Sequence, residues 1–403
     1  MLPSVRRLSP SDAAEASALL AGAAEPLVLS GRIESWRARG WTPLRLAREH
    51  GAAELCVRLH PRGLNHAREA ECIQQRASLA QLCAWLEGSQ ETGGLARYNR
   101  REFVAYSDYQ DMGVVFAGDR EALSAIDWST VGIPRDGAHS TLWLGSEGAH
   151  TPIHQDSYGW NLVAQLHGTK RWRLYHPQDL SLHPTRIPYE ESSVYAYGGA
   201  PPDNKRAEQD SPSIWETTLG PGDVLFVPKH WWHLVTTTSS SALSVNTWVD
   251  AADDAHDRLR EALVRSVICA MMQHYEVTFL AAKTARTDDC ESPAPPAPFK
   301  GQSMPTVEAH PSAEDTMARS EAWLNPTEEV WSPSDNLAAV HTSLVEAHPE
   351  YKEHAPQISA ADIVDAFCTG EALDAAMRAL RRRCGRLRTC KRPRDDETEV
   401  TPD

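Results

Sequence analysis

The sequence predicts an α+β fold with a mainly β core, in which many short strands form a jelly-roll sandwich or barrel. Between residues 101 and 250, short runs of β-branched, leucine and aromatic residues are separated by Gly, Pro and Asp, as expected of strands joined by tight turns. These runs are Thr141–Leu144, Asn161–Leu166, Arg171–Tyr175, Val224–Val227 and Leu243–Trp248. Potential metal ligands lie among them, and a jelly roll suits a buried metal site.

Residues 1–100 predict an N-terminal α/β segment that packs on this core. Pro26–Leu29 and Leu55–Leu59 have the composition of short strands. Thr42 and the proline after it predict a helix that ends near Gly51, because threonine caps a first turn and proline fits the first helical position. A second helix is predicted to begin at Ser78, where Ser-Leu-Ala-Gln has the spacing of a capping box.

After residue 250 the pattern becomes helical and then loses its apolar residues. Leu259 and Leu263 recur at helical spacing, which predicts a helical extension over residues 251–282. Residues 283–320 are rich in Pro, Ser, Ala and acidic residues. Because such a composition buries too little apolar surface to order itself, this stretch is predicted to be a disordered linker.

Residues 321–385 are predicted to form a C-terminal helical segment, and residues 386–403 a disordered tail. The helical periodicity is clearest over Ser359–Arg383, which has an apolar stripe along one face. The stripes of the two helical regions could pair two chains, so a homodimer and packing within one chain both stay open.

The bulk composition limits the classes of function. The chain has 403 residues and a formal net charge of −15, which disfavours general nucleic-acid binding because that needs a basic surface. Its 8 cysteines form no Cys-x-x-Cys pair, which argues against a zinc ribbon or a redox motif. We expect no secretory signal and no membrane span. The expected location is the cytosol, with the nucleus as an alternative if the basic run Arg378–Arg394 serves import.

Three residues form a candidate metal site. His154 and Asp156 are two positions apart, and residues i and i+2 of a strand point to the same face. His233 follows the strand-like run Val224–Val227 in the same β-rich region. Two imidazoles and one carboxylate can occupy one face of an octahedral metal, which is the arrangement of non-haem Fe(II) oxygenases.

Other ligands and another metal compete with this prediction. His150 and His230 lie close to the proposed ligands, and we expect them to be core or supporting residues. Structural zinc prefers four protein ligands, often thiolates, and no cysteine lies between residues 84 and 268. A catalytic zinc with three protein ligands stays open.

The His-x-Asp pair, the run Pro221–Pro228 and the turn Trp231–His233 together resemble the JmjC-domain family of Fe(II)- and 2-oxoglutarate-dependent oxygenases, part of the cupin superfamily. The resemblance implies that residues 101–250 form a double-stranded β-helix catalytic domain. It also implies that Fe(II) is held by the predicted triad, His154, Asp156 and His233, with 2-oxoglutarate as cosubstrate and O2 as oxidant.

The resemblance also implies residues that hold 2-oxoglutarate. Lys170 stands where the family places the cation for the far carboxylate, although alone it would be a turn lysine in water. Polar contacts to the cosubstrate or its surroundings are implied for Thr151, Asn161 and Asn246. The two asparagines interrupt apolar runs, which fits polar groups directed into a cavity. It would equally fit buried amides that form hydrogen bonds within the core. A tyrosine also contacts this carboxylate in the family, and Tyr106 and Tyr109 are both candidates. Trp232 and Trp248 are expected to pack the barrel.

The function implied is hydroxylation of a protein side chain, with loss of a methyl group if the hydroxylated carbon bears nitrogen. Ser140–Ser146, Pro184–Val194 and Ala322–Glu328 resemble a branch of the family that is associated with a small heat shock protein, which implies such a partner. An adaptor without turnover is therefore the main alternative. A further alternative is an enzyme that hydroxylates tRNA or another nucleic acid. The negative net charge of the chain argues against it. The prime substrate would be chosen by rim loops such as Ser181–Asn204.

Overall fold

The computed structural model describes most of the first 267 residues and a shorter part of the C-terminal region. The described residues are 4–64, 72–89, 92–179, 181–182, 184–190, 192–196, 214–267 and 333–349, with a few single positions between 367 and 379. The strands are β1 Arg6–Leu8, β2 Leu27–Ser30, β3 Glu54–Pro61, β4 Ile73–Ser78, β5 Phe103–Asp111, β6 Thr141–Ser146, β7 His150–Asp156, β8 Trp160–His167, β9 Lys170–Tyr175, β10 Pro184–Glu190, β11 Ser193–Ala196, β12 Ile214–Leu219, β13 Asp223–Val227, β14 Trp232–Thr237 and β15 Ser241–Val249. The helices are α1 Ala13–Ala21, α2 Pro43–His50, α3 Leu79–Glu87, α4 Met112–Val115, α5 Arg120–Leu123, α6 over residues 254–267 and α7 Pro333–Ala347.

The strands form two sheets. The larger has the order β1-β2-β13-β8-β15-β6-β5-β3-β4, and the smaller has the order β10-β11-β7-β14-β9-β12. Between β6 and β15 the chain passes repeatedly from one sheet to the other, which is the topology of a jelly roll. Within the described residues, the pairs of strands are antiparallel except for β1 with β2. The predicted α+β fold with a mainly β, jelly-roll core is confirmed.

The central strands of the large sheet are buried on both faces, and the two faces differ in chemistry. In β15, Leu243 and Val245 belong to the main apolar core. Ser244 and Asn246, which alternate with them along the strand, line an internal cavity. The same alternation in β8 places Leu162 in the core and the residues beside it in the cavity. Because successive strand residues point to opposite faces, one sheet separates a dry core from a polar interior.

The N-terminal segment adds strands to this sheet and helices to its outer face. β2 pairs with β13, and β3 and β4 extend the sheet beyond β5, so the sheet continues across the predicted boundary at residue 100. The main apolar core joins Leu20, Leu46 and Leu82 of α1, α2 and α3 to leucines of the central strands. The N-terminal segment thus covers the face of the sheet that points away from the cavity.

The two N-terminal helix starts predicted from sequence are present. Thr42 caps α2, with its side-chain oxygen accepting from the Arg45 amide at 3.2 Å, and Gly51 is the C-cap directly after the last helical residue, His50. Ser78 and Gln81 form the predicted capping box, in which each side chain bonds the backbone amide of the other. These local signals predict well because a helix start leaves amide groups without backbone partners, and such side chains satisfy them from within the same turn.

The C-terminal elements pack on the barrel through polar contacts. Asp254, in the first turn of α6, accepts from the Gly159 amide at 2.9 Å, close after the strand that carries His154. Arg265 of α6 donates to Asn336 of α7 at 3.3 Å, and α7 lies within the predicted helical segment 321–385. The predicted linker, the predicted tail and most of Ser359–Arg383 lie outside the described residues. No helix in the described part of the chain is long and apolar enough to cross a membrane.

Gly168 turns the chain from β8 into β9 and so places Lys170. Its φ is +63°, and a Cβ atom there would lie 2.0 Å from the backbone oxygen of Ser241. Gly118 also has a positive φ, +86°, but a Cβ atom there would meet nothing within 4 Å. Both positions disfavour a side chain through their backbone angles. At Gly168 a side chain would also clash with the backbone of Ser241, whereas at Gly118 it would clash with nothing.

We therefore predict that Gly168→Ala lowers the free energy of unfolding clearly more than Gly118→Ala. The control variant should lose about 1–2 kcal/mol, the cost of a left-handed conformation for a residue with a Cβ atom. Gly168→Ala should lose at least twice as much, because β8, β9 and β15 must separate to relieve the clash. Urea unfolding of both variants measures the difference, and equal losses would contradict the role given to this turn.

Candidate functional site

The predicted triad comes together on two neighbouring strands of the small sheet. His154 of β7 lies directly opposite His233 of β14, and their ring centroids are 4.0 Å apart. Asp156 follows on the same face of β7, with its Oδ1 3.8 Å from Nε2 of His154. One potential ligand atom from each residue lies within 4.8 Å of the others, and no other such metal-binding group occurs among the described residues.

Backbone carbonyls fix the two histidine tautomers. Nδ1 of His154 lies 2.8 Å from the oxygen of Pro152, and Nδ1 of His233 lies 2.9 Å from the oxygen of Trp231. A carbonyl oxygen can only accept, so each Nδ1 carries the hydrogen and donates it. Each Nε2 therefore keeps its lone pair for a metal. The hydrogen bond from Nδ1 to the carbonyl holds each ring in place.

Asp156 is held as an ionised carboxylate with one oxygen directed to the histidines. Its Oδ2 accepts from Nε1 of Trp248 at 3.0 Å and from Nδ2 of Asn161 at 3.3 Å. Burial alone would raise the pKa of Asp156, but the neighbouring histidines and these hydrogen bonds lower it below its usual value. Burial, together with His154, lowers the pKa of His233 to about 4. Near neutral pH both residues are thus in the protonation states that bind metals.

A cavity of about 400 Å³, its mouth included, lies in front of the triad. The residues that line it are Tyr106, Tyr109, Trp143, Thr151, His154, Asp156, Asn161, Val163, Lys170, Trp172, His233, Val235, Ser244, Asn246 and Trp248. The lining contains no cysteine, so a thiolate zinc tetrad does not fit here. Two nitrogen ligands and one carboxylate on one side of an open cavity fit Fe(II) of the facial-triad type.

Lys170 lies in the buried interior of the cavity. Its Nζ donates to Oγ of Ser244 at 2.8 Å and to the hydroxyl of Tyr106 at 3.4 Å. Burial lowers the pKa of Lys170 to about 7, and the charge of Asp108 opposes this shift only in part. Among the described residues no carboxylate lies at hydrogen-bond distance from Lys170. A buried ammonium in this situation is costly, and an anionic ligand would offset that cost.

The structure separates the two candidate tyrosines. Tyr106 is buried and contacts Lys170, whereas Tyr109 is half-buried, with its ring 4.6 Å from that of Trp143. The pairing of β5 with β6 shifts register between Ser107 and Gln110, and Tyr109 has a left-handed φ of 50°. Because a bulge re-aims side chains, it separates Tyr106 and Tyr109 within the same cavity. Tyr106 is therefore the tyrosine placed to act with Lys170.

A one-way chain of hydrogen bonds joins the predicted asparagines to the triad. Trp143 donates to Oδ1 of Asn246 at 2.7 Å, and Asn246 donates to Oδ1 of Asn161 at 2.9 Å. Asn161 then donates to Asp156. An indole can only donate, so it sets the orientation of each amide in turn. Both asparagines and the buried Thr151 line the cavity, and their contact with a cosubstrate stays a prediction.

The competing histidines lie outside the triad. The His150 ring pairs with that of His60 at a centroid distance of 5.0 Å. His230 adopts a left-handed φ of 66°, and its Nε2 lies 3.0 Å from the backbone oxygen of Ser157. Neither is part of the group of converging ligand atoms. The preference for His233 over His230 therefore agrees with the geometry.

The predictions for the tryptophans were right for one and incomplete for the other. Trp232 packs in an apolar cluster and does not line the cavity. Trp248 was expected to pack the barrel, and it also lines the cavity and donates to Asp156. Sequence reasoning also missed Ser244 and Trp172. Both carry a period-two signal, since Ser244 precedes Asn246 by two positions and Trp172 follows Lys170 by two.

Comparison with known proteins agrees with this fold and site. Residues 13–255 match the family model described as a cupin-like domain, and the chain belongs to this family. A rat protein named HSPB1-associated protein 1 is 37% identical over 272 residues, which cover 66% of this chain and 57% of the relative. A zebrafish homolog of that name is 38% identical over 259 residues, or 61% of this chain and 57% of the relative.

A more distant relative carries an enzyme name. Lysine-specific demethylase 8 of Xenopus tropicalis is 26% identical over 229 residues, covering 56% of this chain and 48% of the relative. The chain thus spans about half the length of the curated relatives that it matches. The similarity places it with cupin-like proteins of the JmjC type.

We predict that His154→Ala and His233→Ala each weaken binding of Fe(II) or Co(II) by more than roughly 100-fold, since loss of an outer hydrogen-bonding partner alone costs roughly 10- to 100-fold. Trp248→Phe should fall in that smaller range, because Asp156 loses a donor but stays in place. Anaerobic metal titration followed by absorption measures these affinities.

His230→Asn is the matched control for this prediction. Asparagine tolerates the left-handed backbone of position 230, so the variant removes an imidazole near the site without backbone strain. Metal affinity should stay at the wild-type value. A loss comparable to that of His233→Ala would mean that the ligand set is assigned wrongly.

Proposed function

We propose that the protein is an Fe(II)- and 2-oxoglutarate-dependent dioxygenase that hydroxylates a protein side chain. The observation that carries this proposal is the pairing of two features within one cavity. One is the His154, Asp156 and His233 face with its converging ligand atoms, and the other is the buried Lys170. A metal and a dicarboxylate fit between them better than a metal alone.

The residues divide the work as follows. The triad would hold Fe(II), and Lys170, supported by Tyr106 and Ser244, would pair with the far carboxylate of 2-oxoglutarate. When bound, the metal and cosubstrate supply the chemistry that transfers an oxygen atom of O2 to a C–H bond. The protein's own part is to leave one metal face open, to exclude water with aromatic walls and to hold the reacting bond close to the metal.

The prime substrate is proposed to be a protein. The same reaction would leave a hydroxylated side chain or, if the hydroxylated carbon bears nitrogen, would remove a methyl group. The distant relatives named lysine-specific demethylases support the second outcome for a methylated side chain. Tyr109, Trp143 and Trp248 are the half-buried aromatic residues of the cavity, and in this proposal they would contact the substrate. We keep the cytosol, with the nucleus as a second compartment, as part of the proposal.

Anaerobic addition of 2-oxoglutarate to the Fe(II)-loaded protein tests the proposal. Bidentate chelation should produce a visible metal-to-ligand charge-transfer band in the wild type. The band should be absent in His154→Ala, and in Lys170→Met it should need at least tenfold more 2-oxoglutarate, because methionine keeps the volume but not the charge. His230→Asn serves again as the control. A folded, iron-loaded wild type that gives no band would rule out the proposed cosubstrate.

The affinity for 2-oxoglutarate should also depend on pH through Lys170. Its pKa of about 7 in the ligand-free protein means that the amine is largely neutral at higher pH. A dicarboxylate favours the ammonium form, so binding above pH 7 takes up a proton. Affinity should therefore fall as pH rises above about 7, by up to tenfold per pH unit. The Lys170→Arg variant stays charged, so its affinity for 2-oxoglutarate should not depend on pH in this way. A wild-type affinity that is constant from pH 7 to 9 would contradict the prediction.

A second candidate function is association with a small heat shock protein, which the names of the HSPB1-associated relatives favour. We propose this binding as a property separate from turnover. Wild type and the His154→Ala, Asp156→Asn double variant should retain a recombinant small heat shock protein equally well on a column. Binding lost in the folded double variant would link the partner to the site, and absence of binding in the wild type would reject the association.

A further inference from the structure

Three tryptophans line the cavity, and their indole nitrogens differ. Trp143 donates to Asn246, and Trp248 donates to Asp156. Nε1 of Trp172 is buried and has no hydrogen-bond partner within the described part of the chain. An indole is a donor only, and a buried donor without an acceptor destabilises a structure that could carry phenylalanine there instead.

The position of Trp172 relates this nitrogen to the ligand cavity. On β9 it follows Lys170 by two residues, so both side chains lie on the inner face of the strand. Its ring stacks on that of His233, with centroids 5.8 Å apart and an angle of 24° between the planes. Trp172 therefore lies between the buried ammonium and a ligand of the metal site.

The described surroundings of the ring offer Nε1 no protein acceptor. Trp172 packs in an apolar cluster with Val163, Leu225 and Val235, whose side chains offer no acceptor. Two residues along a strand correspond to about 6.6 Å. On β9, Trp172 therefore lies between Lys170 and Leu174, the residue opposite His233, and it lines the cavity there. The oxygens of a ligand bound there are the acceptors that the cavity would bring to Nε1.

We propose that Nε1 of Trp172 donates a hydrogen bond to a carboxylate oxygen of the dicarboxylate cosubstrate. Trp172 is then a third polar contact, besides Lys170 and Tyr106, that selects a 2-oxo dicarboxylate. This inference rests on the proposed function, because it takes 2-oxoglutarate as the cavity's ligand. It makes Trp172 a binding residue in addition to a packing residue for His233.

The test uses the full chain loaded with Zn(II), which is diamagnetic and redox-inert, and 2-oxoglutarate as the probe. With ¹⁵N-labelled indole groups, the Nε1–H resonance of Trp172 should move downfield on saturation with 2-oxoglutarate. Trp172→Phe should weaken 2-oxoglutarate binding by about tenfold or more in calorimetry, as expected for a hydrogen bond to a charged group. The affinity for Zn(II) should not change, because Trp172 is no metal ligand.

Trp215→Phe is the matched control. Trp215 lies on the neighbouring strand β12 and packs on the same apolar cluster, but it does not line the cavity. This variant should bind 2-oxoglutarate as the wild type does. If Trp172→Phe does not fold, the wild-type resonance can be assigned from its nuclear Overhauser contact with the His233 ring, and its shift still decides the question.

The outcomes separate the two proposals. A downfield shift together with selective weakening supports the contact. A wild type that binds 2-oxoglutarate while the Trp172 resonance stays in place, or a Trp172→Phe variant that binds as tightly as the control, overturns the contact and leaves the proposed function intact. A folded, metal-loaded wild type that binds no 2-oxoglutarate overturns both.

Discussion

The pairing of β7 with β14 is the constraint on which the rest of the site depends. It sets His154 opposite His233, and each imidazole is then oriented by the carbonyl two residues before it. A slip of one residue in either strand would turn one imidazole to the other face of the sheet and remove the site. The strands that flank this pair fix its register, since β11 pairs with β7 and β9 pairs with β14.

Burial of charge is the second constraint, and the protein meets it unevenly. Asp156 is surrounded by donors, and the chain from Trp143 through the two asparagines delivers one of them. Arg58 pairs with Asp108 at 2.8 Å, while the groups at hydrogen-bond distance from Lys170 are, within the described part of the chain, the hydroxyls of Ser244 and Tyr106. Hydrogen bonds to the Asp156 carboxylate make the metal side of the cavity rigid. The ammonium group of Lys170 is poorly compensated and therefore favours an anionic ligand. One cavity can thus hold a metal rigidly and still bind an anion.

The burial of the large sheet's central strands on both faces explains why local patterns predicted so much of the fold. Strands covered on both faces have nearly continuous apolar runs. Four of the five runs predicted from sequence lie in strands of the large sheet, and the fifth, Arg171–Tyr175, lies in β9 of the small sheet. Helix starts at Thr42 and Ser78 were predictable because capping is decided within four residues. The order of strands was not predictable from patterns, because pairing depends on contacts between residues far apart in the chain.

For the site, the sequence by itself determined the ligand types, their period-two spacing on β7 and the presence of a lysine that the family resemblance related to an anion. The tertiary structure decided which groups meet. It placed Tyr106 beside Lys170, joined the asparagines to Asp156, and brought Trp248 and Trp172 into the cavity. The physical reason is that a side chain's face on a strand is a local property, whereas its partners are set by strand register and by the packing of one sheet on the other.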